Sequence, residues 1–281
     1  MGGRSARDTR RALAGVRVVS LAQNVPGPVT VSRLVGYGAG AVKIEPPGGD
    51  PLRGFSLAWY RRLHRGVRVE RVDLKTSGGL ARLQALLGQA DLLITSQRPS
   101  ALARLGLTTR RLARQHPQLR WLRIVGDTRR PERPGHDLTY QAEVGLLGLE
   151  MPRTLWGDVI GAERAVSEAL LLLRRPAPCT CETGLRDTVQ SAATPYELGL
   201  TSADGVLGGA LPSYRIYRAR DGYVAVAALE PHFSARLYAA LGLPFGADLS
   251  AQMRSRTARQ WERWAAARDL PIARLRNGNG A

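Results

Sequence analysis

Lysine is almost missing from this chain. Only Lys43 and Lys75 occur, so nearly all of the 41 basic residues are arginine, and against 23 acids they leave a formal charge of +18. Asparagine is scarce too, a pattern that reads as GC-rich codon usage. The arginines are spread along the chain, without glycine-arginine repeats, a helix-turn-helix or a zinc signature, so no specific nucleic-acid partner is expected. Cysteine is limited to Cys179 and Cys181. A C-x-C with no second pair and no nearby histidine points to two small residues in a turn, and to no metal site. Long apolar runs are also missing, and the charged start MGGRSARDTRR leads into no signal-peptide core. The expectation is a cytoplasmic protein with no membrane contact. The glycine fingerprint of a nicotinamide or flavin enzyme is lacking as well. The first strand-to-helix turn is Asn24-Val25-Pro26-Gly27-Pro28, and Gly36, Gly38 and Gly40 come at the far end of the helix, where they end it.

What is present is an alternation of short apolar runs with helical segments. Val16 to Ala22, Ala41 to Ile44, Val67 to Leu74, Asp91 to Thr95 and Trp121 to Val125 read as strands. Helices are expected at Val29 to Gly40, Ser77 to Gly88, Leu138 to Leu149 and Ala162 to Arg174, with a loop carrying Asp158 before the last. This alternation specifies an α/β fold with a Rossmann-like, doubly wound, mostly parallel sheet. From about Pro212 the period changes. Tyr214 to Tyr217 and Tyr223 to Leu229 flank a hairpin turn at Asp221-Gly222, and helices Pro231 to Leu241 and Thr257 to Arg268 follow. The expected division is a Rossmann-like domain at 13–205 and a smaller α+β domain at 206–281. Within the first, AVKIEPPGGDPLRG at 41–54 empties a strand into a Pro/Gly turn that holds two acids and an arginine, and strand ends of this kind usually carry chemistry.

The words NVPGP, GAGAVKIEPPGGDPLRG, VDLKTSGG and DLLITSQRPSALARLGL fall in an order and spacing that resembles the family III CoA-transferases, the group that includes the 2-methylacyl-CoA racemases. The resemblance runs on through RPGHDLTYQAEVGLLGL, LWGDVIGAERAVSEALLLL and YRIYRARDGYVAVAALEPHF, covering the chain from about Leu13. It implies that acyl-CoA and a small carboxylic acid are the partners, that coenzyme A enters as part of the substrate, and that no cofactor is bound permanently. A basic surface suits the CoA phosphates.

The resemblance also assigns roles. Asp158 matches the family's catalytic aspartate, which attacks an acyl-CoA to form a mixed anhydride that CoA thiolate reopens on a second acid. Read without the family, it is an aspartate capping the helix that follows. His136 matches the racemases' catalytic histidine, and Glu230 the acid that orients it. His136 and Asp158 would then work on opposite faces of the α-carbon. Singly, His136 reads as a turn histidine and Glu230 as an acid at a helix start. Lys75, Arg98 and Arg104 stand where the family meets the nucleotide end of CoA. CoA transfer through Asp158 leads this reading, racemisation by His136 and Asp158 follows closely, and CoA binding without turnover is third.

Several departures from the pattern are visible. Pro46 and Ser96 replace an arginine and an asparagine, LEMPRT stands where relatives carry a glycine-rich covering loop, and the stretch between Asp187 and Gly209 is short. Relatives are interlocked homodimers closed by a C-terminal return segment, and this chain stops near Arg274 with a glycine-rich tail. An open, separable homodimer is therefore expected.

Overall fold

The computed structural model describes residues 11–276; the charged N-terminal stretch and the tail at 277–281 lie outside the described residues. The chain divides into two compact units, Met1–Ala193 and Thr194–Ala281. The division falls inside the helix Leu185–Glu197, ahead of the 205/206 boundary expected from the sequence.

The first unit is built on six strands: β1 (Arg17–Ser20), β2 (Gly40–Glu45), β3 (Val67–Arg71), β4 (Leu92–Thr95), β5 (Arg120–Val125) and β6 (Cys179–Gly184). Their order is β3-β2-β1-β4-β5-β6, and every neighbouring pair is parallel. Parallel strands need crossovers, and crossover helices cover both faces, so alternate residues of one strand enter different cores. Val18, Leu92, Ile94 and Leu122 pack with Val31, Leu34, Ala165 and Ala169, from helices Pro26–Gly36 and Trp156–Arg174. Their neighbours Val19, Leu93 and Trp121 pack on the other face with Leu83, Leu87, Leu102 and Leu112. The doubly wound α/β fold is thus the one expected.

Three local expectations need correction. Cys179 and Cys181 are not in a turn: they pair with Arg120 and Leu122 as part of β6. The first helix starts at Pro26, not Val29, because proline at the first helical position sacrifices no hydrogen bond. Gly27 lets that helix press on β1's exit, since a methyl group there would overlap the Ala22 Cβ. The helix expected from Ala162 begins at Trp156, which places Asp158 in its first turn instead of in a loop.

The second unit pairs β7 (Tyr214–Arg218), β8 (Tyr223–Ala227) and β9 (Ile272–Arg274) as an antiparallel sheet in that order. Val224 and Val226 of β8 meet Leu237 and Tyr238 of the helix Pro231–Leu241 and Trp261 of Ala258–Ala266. Trp261 is fully buried and donates its indole N–H to the Met253 carbonyl at 2.7 Å, so it adds area without an unpaired donor. Among the described residues no helix is long and apolar enough to cross a membrane.

The turn 41–54 serves as an anchor. Lys43, Glu45 and Asp50 are 1%, 1% and 3% exposed. The Lys43 ammonium pairs with Asp50, lies 3.3 Å from Glu45 Oε1, and donates to His64 Nε2 at 2.9 Å. Burial, then the Lys43 charge, holds the His64 imidazole below its ordinary pKa, and its Nδ1 meets the Tyr60 carbonyl at 2.7 Å. Asp50 Oδ1 accepts from the amides of Leu52 and Asn24, at 2.9 and 3.0 Å. Through that second bond the network fixes Asn24, a left-handed residue (φ 64°) at the exit of β1.

Removing the ammonium alone would strand two buried carboxylates, which costs about 3–5 kcal/mol. Lys43→Met should therefore lower the unfolding free energy by that amount in urea titration. Lys75→Met, at an exposed position, should stay within about 0.5 kcal/mol. Equal stability of the two variants would dismiss the cluster as an anchor.

Candidate active site

In a sheet of this order the chain leaves β1 and β4 in opposite directions, and a crevice opens at their C-terminal ends. Here the crevice is a cavity of about 260 Å³. Gln23 and Asn24 line it after β1, Ser96 to Arg98 after β4 and Gly126 after β5, together with His136, Tyr140 and Asp158. Its mouth is stitched across the switch point: the Gln23 amide donates to Ser96 Oγ at 3.0 Å, and Gln97 Nε2 donates to the Leu21 carbonyl at 2.6 Å. The serine that departs from the family pattern thus has a defined structural task.

Asp158 is the third residue of the helix Trp156–Arg174. It is half-buried, and among the described residues nothing donates a hydrogen bond to its carboxyl. Desolvation first, and the charge of Asp137 second, push its pKa up to about 7. A helix N-terminus would by itself favour the carboxylate, so burial and the neighbouring acid outweigh the dipole. The helix-capping role that the sequence allowed for Asp158 belongs instead to Asp137, which is buried. Its Oδ1 accepts from the amides of Gly157 and Asp158, at 2.6 and 3.1 Å.

His136 is the exposed N-cap of the helix Asp137–Glu143, and its backbone N–H donates to Thr139 Oγ1 at 3.0 Å. The structure therefore brings His136 and Asp158 to one cavity. Tyr140, one turn further on, was missed by the sequence reading. It is buried, and desolvation followed by the Asp158 charge raises its phenol to about 12. A methyl group at Gly126 or Gly135 would overlap the Tyr140 side chain, so both glycines make room for this ring.

The residues assigned to the nucleotide end separate. Arg98 caps the helix Pro99–Arg104 and lines the cavity. Lys75 lines a second groove of about 200 Å³ with Ile44, Val72, Leu74 and Leu105; the two share Gln23 and Gln97. Arg104 is exposed at the far end of its helix, outside the lining of both. Glu230 is the exposed N-cap of Pro231–Leu241, in the second unit. Among the described residues, the group with ligand atoms close enough for a metal is Glu45, Asp50 and His64. The Lys43 ammonium already makes its contacts with all three.

Comparison with known proteins gives the family. Human alpha-methylacyl-CoA racemase is 29% identical over 256 residues, 83% of this chain and 65% of that protein. A probable fatty acyl-CoA transferase of Mycobacterium tuberculosis is 26% identical over 277 residues, 83% of this chain and 69% of that one. The chain thus spans about two thirds of the length of these curated relatives. A crystal structure of a hypothetical protein from Mycobacterium tuberculosis superposes with a TM-score of 0.81 at 24% identity, covering 95% of this chain and 85% of that one. A CAIB/BAIF family protein from Brucella suis gives 0.79 at 21% identity, over 95% of this chain and 85% of its own. At such identities these structures speak for the fold. The model of CoA-transferase family III matches residues 13–278, and the chain belongs to that family.

Proposed function

We propose that this chain is an acyl-CoA enzyme that moves the proton at C2 of a 2-methylacyl-CoA, interconverting its epimers. The observation that carries this reading is that His136 and Asp158 line one cavity while the Asp158 carboxyl is held near 7. A group that must both take and return a proton works best when its pKa lies near the working pH. In one direction Asp158, as carboxylate, takes the α-proton and the imidazolium of His136 returns one to the opposite face. In the other direction the roles exchange. The thioester oxygen gains charge in the intermediate, and backbone amides at a helix end would meet it. The groove that carries Lys75 suits the CoA moiety, and the family role of Glu230, the acid that orients His136, stays part of the proposal. The human racemase relative supports this order of readings.

Transfer of CoA is the second reading, and a specific observation favours it. The Asp158 carboxyl has no hydrogen-bond donor among the described residues, so its oxygens are free to attack a thioester carbon. Succinate–glutarate CoA-transferase of Agrobacterium fabrum is 34% identical, over 41% of this chain. In this reading the partners are an acyl-CoA and a small carboxylic acid, with no permanently bound cofactor. The homodimer and the cytoplasmic location remain parts of the same proposal.

The two chemistries separate in heavy water. Incubation with 2-methylacyl-CoAs and no free acid should load deuterium at C2, and both His136→Ala and Asp158→Asn should slow that exchange by at least about a hundredfold. Thioester exchange that requires added acid, without deuterium uptake, would establish transfer and remove the racemase reading.

The raised pKa also has a sign for stability. Between about pH 4 and pH 7 the folded chain holds a proton on Asp158 that the unfolded chain has released, so this group's contribution falls as pH rises through that window. Asp158→Asn, which never ionises, should melt higher than the parent at pH 8 and match it at pH 4. A variant less stable than the parent at pH 8 would contradict that sign.

A further inference from the structure

Twenty residues separate Asp137 from Gly157, yet one carboxylate oxygen joins them. Helices normally begin on a residue whose own side chain or backbone accepts the first amides. Here the N-cap is Leu155, which has no acceptor in its side chain. Asp137 supplies the acceptor from another element: Oδ1 takes the amides of Gly157 and Asp158 at 2.6 and 3.1 Å. Its other oxygen, Oδ2, accepts from Gln141 Nε2 at 2.5 Å, so the carboxylate cannot swing away without breaking three bonds. Close approach needs Gly157, where a methyl group would lie 3.2 Å from Asp137 Oδ1 and 3.0 Å from Val189 Cγ2.

We propose that Asp137 is the positioning residue of this site: its carboxylate caps, from outside, the helix that carries Asp158 and sets a fixed negative charge behind the Asp158 carboxyl. Because Asp137 directly follows His136, the same side chain also ties the first turn of the His136 helix to the first turn of the Asp158 helix. The two proton-handling groups are thereby held in register by one residue that does not itself line the cavity.

The charged groups around Asp158 leave this role to Asp137. His136, Tyr140, Arg98 and Arg133 share the cavity. Arg133 is committed to Glu143 at 2.7 Å. On the packed helix Pro26–Gly36 the charged side chain is Arg33, which pairs with Glu163 at 2.7 Å. On Leu185–Glu197, Arg186 pairs with Glu143, and Asp187 accepts from Thr128. The charge that acts on Asp158 is that of Asp137, second in weight to desolvation.

This deepens the proposed proton transfer and rests on it for the kinetic arm only. Asp137→Asn keeps an oxygen for both amides and removes the charge. In a chain carrying carboxyl-13C aspartate, the Asp158 resonance, assigned with Asp158→Asn, should titrate about one unit lower in Asp137→Asn than in the parent. The acid limb of the deuterium-exchange profile should move the same way, with KM little changed. Asp137→Ser, which also keeps an oxygen without the charge, should give the same titration shift. Asp137→Ala, without any acceptor, should lose at least about tenfold in kcat. An Asp158 titration unmoved in both oxygen-bearing variants overturns the proposal, as does failure of both to fold, since either makes Asp137 a purely structural cap. The titration needs no turnover. Absence of exchange in the parent would therefore fault the proposed reaction and leave Asp137 to be judged by the resonance.

Discussion

The fold of the first unit turns on one buried cation. Lys43 sits at the C-terminal half of β2, and its ammonium gathers Asp50, Glu45 and His64 around it. Burying an ammonium is tolerable only when anions and acceptors surround it, and the two carboxylates are tolerable only while it stays. This mutual dependence closes the Pro/Gly turn after β2 onto the turn after β1, because Asp50 also holds the amide of Asn24. Both turns lie at the C-terminal edge of the sheet, and Asn24 forms part of the cavity wall. The position of the site therefore inherits its rigidity from an ion cluster that does not itself line the cavity.

A second constraint acts across the cavity from the first. Two helices point their N-terminal ends at it, and each end presents amides that need acceptors. One carboxylate, Asp137, begins the first helix and caps the second, so the stability of both helix starts and the separation of His136 from Asp158 become one structural problem. Tyr140 packs from the same short helix against Gly126 and Gly135, which leaves no room for a side chain at either. Motion of any one of these parts disturbs the others.

Much of this was legible in the sequence, for identifiable reasons. The central strands are buried on both faces, so LLIT at β4 and the apolar runs at β1 and β5 stand out without any alternation. β6 did not, because Cys-Thr-Cys-Glu-Thr-Gly is an edge strand of small and polar residues, and a C-x-C draws the eye to metal or turn chemistry instead. The true start of the Asp158 helix was hidden because its cap is not local: Leu155 has no side-chain acceptor, Asp158 itself reads as the cap, and the acceptor lies at Asp137. The His136 and Asp158 pair came from family resemblance, whereas Asp137 and Tyr140 needed coordinates. A signal existed in glycines that mark close approach: Gly126 and Gly135 for Tyr140, and Gly157 for Asp137. The turn 41–54 stands out in the sequence as a strand end of the kind that usually carries chemistry; that its acids Glu45 and Asp50 surround a buried lysine is visible only in the coordinates.

The electrostatics of Asp158 bear on why one family hosts two reactions. A carboxylate that must attack a thioester gains from being fully ionised, and a neighbouring acid that raises its proton affinity works against that. A carboxyl that must abstract a proton in one direction and donate it in the other gains from the same neighbour, because each half-reaction starts from a different protonation state. Burial alone would raise Asp158 whatever its task. The placement of Asp137 is more discriminating: a neutral acceptor such as asparagine would cap the helix as well, so what the charge adds is a higher proton affinity at Asp158. In the proposed reaction His136, on the same cavity, is the complementary acid and base, and that proposal assigns the arrangement to reversible transfer at carbon ahead of anhydride formation. The open carboxyl oxygens of Asp158 nonetheless keep the covalent route chemically accessible. The reaction that dominates then depends on whether a second carboxylic acid or a C2 proton occupies the space in front of them.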